Sequence, residues 1–194
     1  MNLTITFVRH SIATKKDASK KGAAADIGRV LTPEGVALAE ATSLALAGED
    51  FDIMITSHVL RTVQTGLAIA ANQRNLREIV GVQELYAPIN MARADALFDE
   101  LPKPRQNMAN KWLCDYYTVA ATVLMREITA RGAEKTVVVN HGNVIQMLIA
   151  ILGRERFNDV LDVELAPCDS IRAEMSMFGE LIRYEVVRAP KMEG

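Results

Sequence analysis

The order of segments along the chain predicts an α/β layered fold with a mainly parallel central sheet, because short apolar strands alternate with helix-period stretches. Strand-like runs occur at Thr4–Val8, Phe51–Thr56, Glu78–Val82 and Thr136–Asn140, each followed by a segment of helical character. Two further runs, Ser170–Met175 and Leu181–Val187, alternate apolar and polar residues around Phe178-Gly179 and read as a closing hairpin. With 194 residues and 49% apolar content, the chain has material for one sizeable core, so a single domain over residues 1–194 is expected.

Each element has a local reason. Thr4-Ile5-Thr6-Phe7-Val8 is β-prone and delivers Arg9-His10-Ser11 at its carboxyl end. A polar stretch with Lys15, Lys16, Lys20, Lys21 and Arg29 follows, broken by Ala23-Ala24-Ala25. It reads as a solvated loop or as a mobile basic lip that draws an anionic substrate to the strand edge. Thr32-Pro33-Glu34 is a helix start: Thr caps free amides, Pro suits the first turn and Glu complements the dipole. The helix is expected from about Pro33 to Ala47, ended by Gly48. After the strand ending at Ser57-His58, residues Leu60, Val63, Leu67 and Ile69-Ala70 recur at near-helical spacing and predict a helix to about Asn72.

The third strand leads into Glu84-Leu85-Tyr86-Ala87-Pro88. A helical insertion at about 90–131 is expected next, with a short helix at Met91–Glu100 closed by Pro102 and Pro104. A long helix from about Asn107 to Ala130 then places Trp112, Tyr116, Val119 and Val123 on one face, read as core. Thr136–Asn140 is the most strand-like segment, and His141-Gly142 stands at its end before a helix from Val144 to Leu152.

Composition excludes several classes. A net charge of −2 argues against the broad basic surface of a non-specific nucleic-acid binder. No apolar run reaches membrane-spanning length, and the first strand begins too early for a secretory leader, so the expected location is cytoplasmic. Cys114 and Cys168 lie in unrelated segments without a CxxC spacing and read as buried free thiols.

All three histidines, His10, His58 and His141, fall at predicted strand ends, the edge at which open α/β sheets bind ligands. Arg9 precedes His10, and Arg61 lies at the start of the helix after Ser57. Two histidines with two arginines make a poor metal site, because the arginines repel a cation and no carboxylate joins them. They make a good phosphate site: arginine forks match phosphate oxygens, and a neutral imidazole nitrogen can attack phosphorus in line.

These residues carry a resemblance. Val8-Arg9-His10, Leu31-Thr32-Pro33-Glu34-Gly35, Thr56-Ser57-His58-Val59-Leu60-Arg61-Thr62-Val63-Gln64-Thr65 and Val139-Asn140-His141-Gly142 follow one another in an order that resembles the histidine phosphatase, or phosphoglycerate-mutase-like, superfamily. The resemblance implies a three-layer α/β/α sandwich with a mainly parallel sheet. It implies that His10 is the nucleophile that becomes phosphohistidine and that Arg9, Arg61 and His141 hold the phosphoryl oxygens. Ser11, Ser57 and Gly142 are implied as substrate-binding neighbours, the substrate is a phosphorylated one, and no metal or other cofactor is required.

Three positions depart from the family pattern. Ser11 replaces the usual glycine after the nucleophile, and it is expected to donate to phosphate or to narrow the pocket. His58 replaces the usual proline after Ser57, and it reads as a loop or helix-start residue. The general acid of many members, a glutamate two residues after a leucine, falls on Ala87; Glu84 lies one residue before Leu85 and is the nearest candidate, with Asp95 and Asp99 behind it. A site without a positioned acid favours good leaving groups, and a phosphorylated imidazole is one. Leu85-Tyr86-Ala87-Pro88 and Arg29-Val30-Leu31-Thr32 resemble the SixA-type phosphohistidine phosphatase branch, whereas the insertion does not fit its most compact members. The alternatives are a small-molecule phosphomonoesterase and a non-catalytic phosphate-binding scaffold.

Overall fold

In the computed structural model, which describes residues 3–20, 23–86, 104–105, 108, 111–176 and 179–191, the strand order is β3-β2-β4-β1-β5-β6. β1 (Leu3–Arg9), β2 (Ile53–Ser57), β3 (Glu78–Val82) and β4 (Lys135–Asn140) are the strands expected from the apolar runs. They pair in parallel, β1 with β4, β4 with β2 and β2 with β3. β5 (Ser170–Met175) joins β1 antiparallel and continues through the hairpin to β6 (Leu181–Val187). Gly179 takes a positive φ of 76° in that turn, a conformation open to glycine without steric cost.

Helices cover both faces. On one face, Ile5 and Phe7 of β1, Ile53 and Ile55 of β2 and Val138 of β4 pack with α4 (Lys111–Ala130) and α5 (Gly142–Leu152). On the other, Val8, Met54, Val137 and Val139 meet Ile69 of α3 (Leu60–Ala70), which lies beside α2 (Pro33–Ala45). Alternation along each central strand thus feeds two cores, and near-continuous apolar runs follow from burial on both sides. Among the described residues no helix is long and apolar enough to cross a membrane.

The Thr32 cap forms as expected, its hydroxyl accepting from the Gly35 amide at 3.1 Å with Pro33 opening α2. Two helix faces differ from the periodicity reading. In α3 the apolar Leu60 and Leu67 are 46% and 55% exposed, while Arg61, Thr62, Thr65, Gly66 and Ile69 turn inward. In α4 the fully buried stripe is Leu113, Tyr117, Ala120, Ala121, Leu124 and Ile128; of the expected face, Tyr116 and Val123 pack partly buried against this core and Val119 is exposed. α3 turns polar side chains inward because they assemble beside the strand ends. In α4, small alanines let the helix approach the sheet between larger residues. The short helix expected at Met91–Glu100, and with it Asp95 and Asp99, lies outside the described residues.

The basic stretch after β1 contains a short helix, α1 (Ala23–Ile27), and closes on itself through an Ala13–Leu31 bridge. Lys15, Lys16 and Lys20 are exposed, and Lys20 pairs with Asp17 at 3.2 Å. α1 also carries Asp26 to the carboxyl edge of the sheet.

Candidate active site

The site is assembled where β1, β2 and β4 end. The amide of His10 donates to the Asn140 carbonyl at 2.7 Å, which carries the β1–β4 pairing one residue beyond Arg9 and sets His10 beside His141. The two rings meet edge to face with centroids 5.1 Å apart. Arg61, 3% exposed in the first turn of α3, comes between them. Its Nε donates to His10 Nε2 at 3.3 Å and its Nη2 to His141 Nδ1 at 3.4 Å.

This geometry fixes the protons. The Ser11 carbonyl, 2.7 Å from His10 Nδ1, can only accept, so Nδ1 carries the hydrogen and Nε2 presents a lone pair to Arg61. Burial, reinforced by the charges of Arg61, Arg9 and Arg29, lowers the His10 pKa to about 4 against the opposing Ser11 hydrogen bond. Burial also pushes His141 well below its ordinary value, with Arg61 and His10 adding to the effect. Because Arg61 donates to Nδ1 of His141, the ring hydrogen sits on Nε2 and points to Ser57 Oγ at 3.5 Å. Ser57 Oγ lies 2.8 Å from Thr62 Oγ1, which in turn donates to the Val59 and Ser57 carbonyls. A directed chain therefore holds the neutral His141 ring.

Arg9 reaches the site from the other side. Its guanidinium donates to the Leu165 carbonyl, and desolvation lowers its pKa, opposed by Asp169 and Glu164. Gly142 opens α5, and a Cβ there would stand 3.3 Å from Arg9 Cδ, so glycine leaves the passage that the Arg9 side chain occupies. Ser11 is turned away: its hydroxyl donates to the Gly35 carbonyl at 2.6 Å and its amide to Thr65 Oγ1 at 3.0 Å. The expected Ser11–phosphate contact is thus replaced by a tether between the end of β1 and the start of α2. That approach is close, since a Cβ on Gly35 would lie 2.0 Å from the Ile12 carbonyl oxygen. Glu84 is exposed on the short 3-10 turn Gln83–Leu85, whose inward residue is Leu85. The structure does not bring Glu84 to the two histidines. His58 is exposed and stacks edge-on against Tyr86 with centroids 5.3 Å apart.

Two residues at the site were not singled out from the sequence. Asp26 Oδ2 accepts from Arg61 Nη2 at 2.6 Å and from the Tyr86 hydroxyl at 3.2 Å, while Oδ1 accepts from Arg29 Nη1 at 3.1 Å. The Asp26 backbone carbonyl takes Arg61 Nη1 at 2.8 Å. Burial works to raise the Asp26 carboxyl, but the bonds and charges of Arg61 and Arg29 outweigh it and hold the group below its ordinary value. The Tyr86 ring lies 5.7 Å from that of His141, and burial beside Asp26 pushes its hydroxyl up to about 12, keeping it a donor. Tyr116 of α4 fixes this turn by donating to the Glu84 and Tyr86 carbonyls at 3.1 and 3.2 Å. The signals available in sequence were slight: one acid three residues before Arg29 in a basic stretch, and a tyrosine directly after Leu85. No group of three or more His, Cys, Asp or Glu side chains converges as metal ligands among the described residues.

Residues 5–182 match the family model of the histidine phosphatase superfamily, branch 1. The chain belongs to that superfamily. As a histidine phosphatase it shares its fold with solved structures at low identity. The phosphoserine phosphatase of Entamoeba histolytica, in complex with phosphoserine, is 15% identical with a TM-score of 0.64, covering 94% of this chain and 96% of that one. The phosphoglycerate mutase of Bacillus anthracis is 16% identical at a TM-score of 0.66, covering 97% and 92%. A protein assigned as the phosphohistidine phosphatase SixA of Agrobacterium tumefaciens is 16% identical at 0.57, covering 94% and 97%. No curated protein matches the sequence.

Proposed function

We propose that the protein is a metal-independent phosphatase of the cytoplasm that passes through a phosphohistidine at His10 and acts on phosphohistidine or another substrate with a good leaving group. The observation that carries this reading is the state of His10: a neutral ring, its Nδ1–H tied to the Ser11 carbonyl, its Nε2 lone pair at the edge of the Arg61 fork. Nε and Nη2 of Arg61 form the edge of a guanidinium that grips two phosphoryl oxygens at once. A phosphoryl group held there has its phosphorus facing His10 Nε2.

His10 Nε2 attacks phosphorus in line, the bond to the leaving group breaks, and its electron pair departs with that group. Arg61 and Arg9 stabilise the charge on the equatorial oxygens. His141 joins them once the arriving dianion favours its protonated form, turning an Nδ1–H towards an oxygen that has replaced the Arg61 contact. Water then attacks the phosphoenzyme and frees His10 with inorganic phosphate. Expelling an alkoxide asks for a proton donor at the leaving oxygen, and among the described residues the nearest acid candidate, Glu84, is exposed and away from the histidines. This supports good leaving groups over a metabolite phosphomonoester.

The test is turnover of a histidine-phosphorylated protein, an aryl phosphate and an alkyl phosphate by the wild type and by His10→Ala. Release from the first two that vanishes in the variant supports the reading. Turnover that survives the loss of His10 contradicts it, and tight phosphate binding with no turnover of any substrate assigns a scaffold instead.

A further inference from the structure

The two edges of the Arg61 guanidinium are held differently. Its back edge is gripped by a single residue: Nη1 donates to the Asp26 carbonyl at 2.8 Å and Nη2 to Asp26 Oδ2 at 2.6 Å. The front edge makes only longer contacts, Nε to His10 Nε2 at 3.3 Å and the other Nη2 hydrogen to His141 Nδ1 at 3.4 Å. A guanidinium is a rigid plane, so a two-point hold on one edge sets the direction of the other. Asp26 is itself anchored. Arg29 Nη1 donates to Oδ1 at 3.1 Å and the Tyr86 hydroxyl to Oδ2 at 3.2 Å, while Arg29 Nε is fixed on the Thr14 carbonyl at 2.5 Å. Charge favours the same arrangement, because the Arg61 side chain is only 4% exposed, both adjoining histidines are neutral, and Asp26 is its ion-pair partner among the described residues. The weak front contacts are the ones a phosphoryl group can replace, and the strong back contacts are the ones that stay.

We propose that Asp26 is the positioning residue for Arg61: from α1 it clamps the back edge of the guanidinium, so that the front edge stays aimed at the space beside His10 Nε2 where phosphoryl oxygens bind. The inference rests on the proposed His10 chemistry. It adds the segment after β1 to the machinery without placing Asp26 against the substrate. As charge builds on the equatorial oxygens during in-line transfer, an arginine already aimed at them needs no reorientation. A guanidinium free to turn can still hold a phosphate in the ground state, but it meets the oxygens of the transition state out of line. Asp26 therefore acts through Arg61, and its contribution exists only while residue 61 carries the guanidinium.

The test is a double-mutant cycle read as kcat and KM for p-nitrophenyl phosphate, with Asp26→Asn and Asp26→Ala each made in wild type and in Arg61→Ala, and His10→Ala alongside. Asp26→Asn keeps the shape of the side chain with a weaker acceptor and is expected to lower kcat/KM by about 10-fold. Asp26→Ala is expected to lower it by about 10²-fold, and both losses fall mainly on kcat. In the Arg61→Ala background neither substitution is expected to cost anything further. Losses of the same size in both backgrounds would show that Asp26 acts independently of Arg61, as a support of the fold or a contact of the substrate, and would overturn the inference. An Asp26→Asn protein with the wild-type kcat would overturn it too, whether or not Asp26→Ala folds. If turnover needs His10 and the cycle is additive, this inference alone fails. If turnover survives His10→Ala, the reading beneath it fails.

Discussion

The chemistry of single residues here follows from what each nitrogen faces. His10 has a carbonyl on one side and a guanidinium on the other, so burial and neighbouring charge act together to keep it neutral. In an NMR titration of the His10 ring, the midpoint should lie near 4 rather than 6.5, and Arg61→Gln should move it upward. The sign for stability follows. Because the folded state resists a proton that the unfolded chain accepts, His10 weakens the fold as pH falls from about 6.5 towards about 4. A chemical-denaturation series should therefore show His10→Asn losing less stability than wild type over that window. Arg61 is not replaceable by lysine, since a point charge cannot grip two oxygens on one edge while its stem packs against two histidines. Arg61→Lys should lower kcat/KM by about 10²-fold or more, read by steady-state kinetics. Asp26 was invisible at this scale in the sequence because its meaning comes from a partner 35 residues away. Only the folded path of the loop after β1 brings the two together.

At the scale of elements, turn and cap chemistry made the helix starts legible, while hydrophobic spacing misjudged which way two helices face. Thr32-Pro33-Glu34 starts α2 for reasons contained in three residues, and it does so in the structure. Thr32→Ala should cost about 1 kcal/mol, seen as a melting temperature lower by about 2–4 °C. For α3 the spacing found the helix but not its buried side, because site-building Arg61, Thr62 and Thr65 are polar and the apolar Leu60 and Leu67 face solvent. A pattern that equates burial with apolar character fails wherever a helix lines a polar site. Ser11 teaches the same lesson from a strand end. A serine beside a nucleophile suggests a ligand contact, yet its hydroxyl ties β1 to α2 through the Gly35 carbonyl. Ser11→Gly removes the hydroxyl that ties this carbonyl to β1 and should destabilise the protein by about 1 kcal/mol, measured by denaturant unfolding.

At the scale of the molecule, the parallel strands explain why residues so distant in sequence meet. β1, β4 and β2 lie side by side and run the same way, so His10, His141 and Ser57 all emerge at one edge. Strands, hairpin and edge histidines were all readable from apolar runs and their boundaries, since each depends on neighbours in sequence. The return of the loop after β1, carrying Asp26 over Arg61, and the turn that sets Tyr86 beside His141 depend on contacts across the fold. The claim on which the rest depends is that this edge holds a phosphoryl group on His10 during turnover. Rapid mixing with p-nitrophenyl phosphate, an alkaline quench that preserves phosphohistidine, and peptide mass spectrometry test it directly. The account predicts phosphate on His10, labile in acid and absent from His10→Ala. Rapid turnover with His10 never phosphorylated, or with the phosphate on another residue, would contradict it.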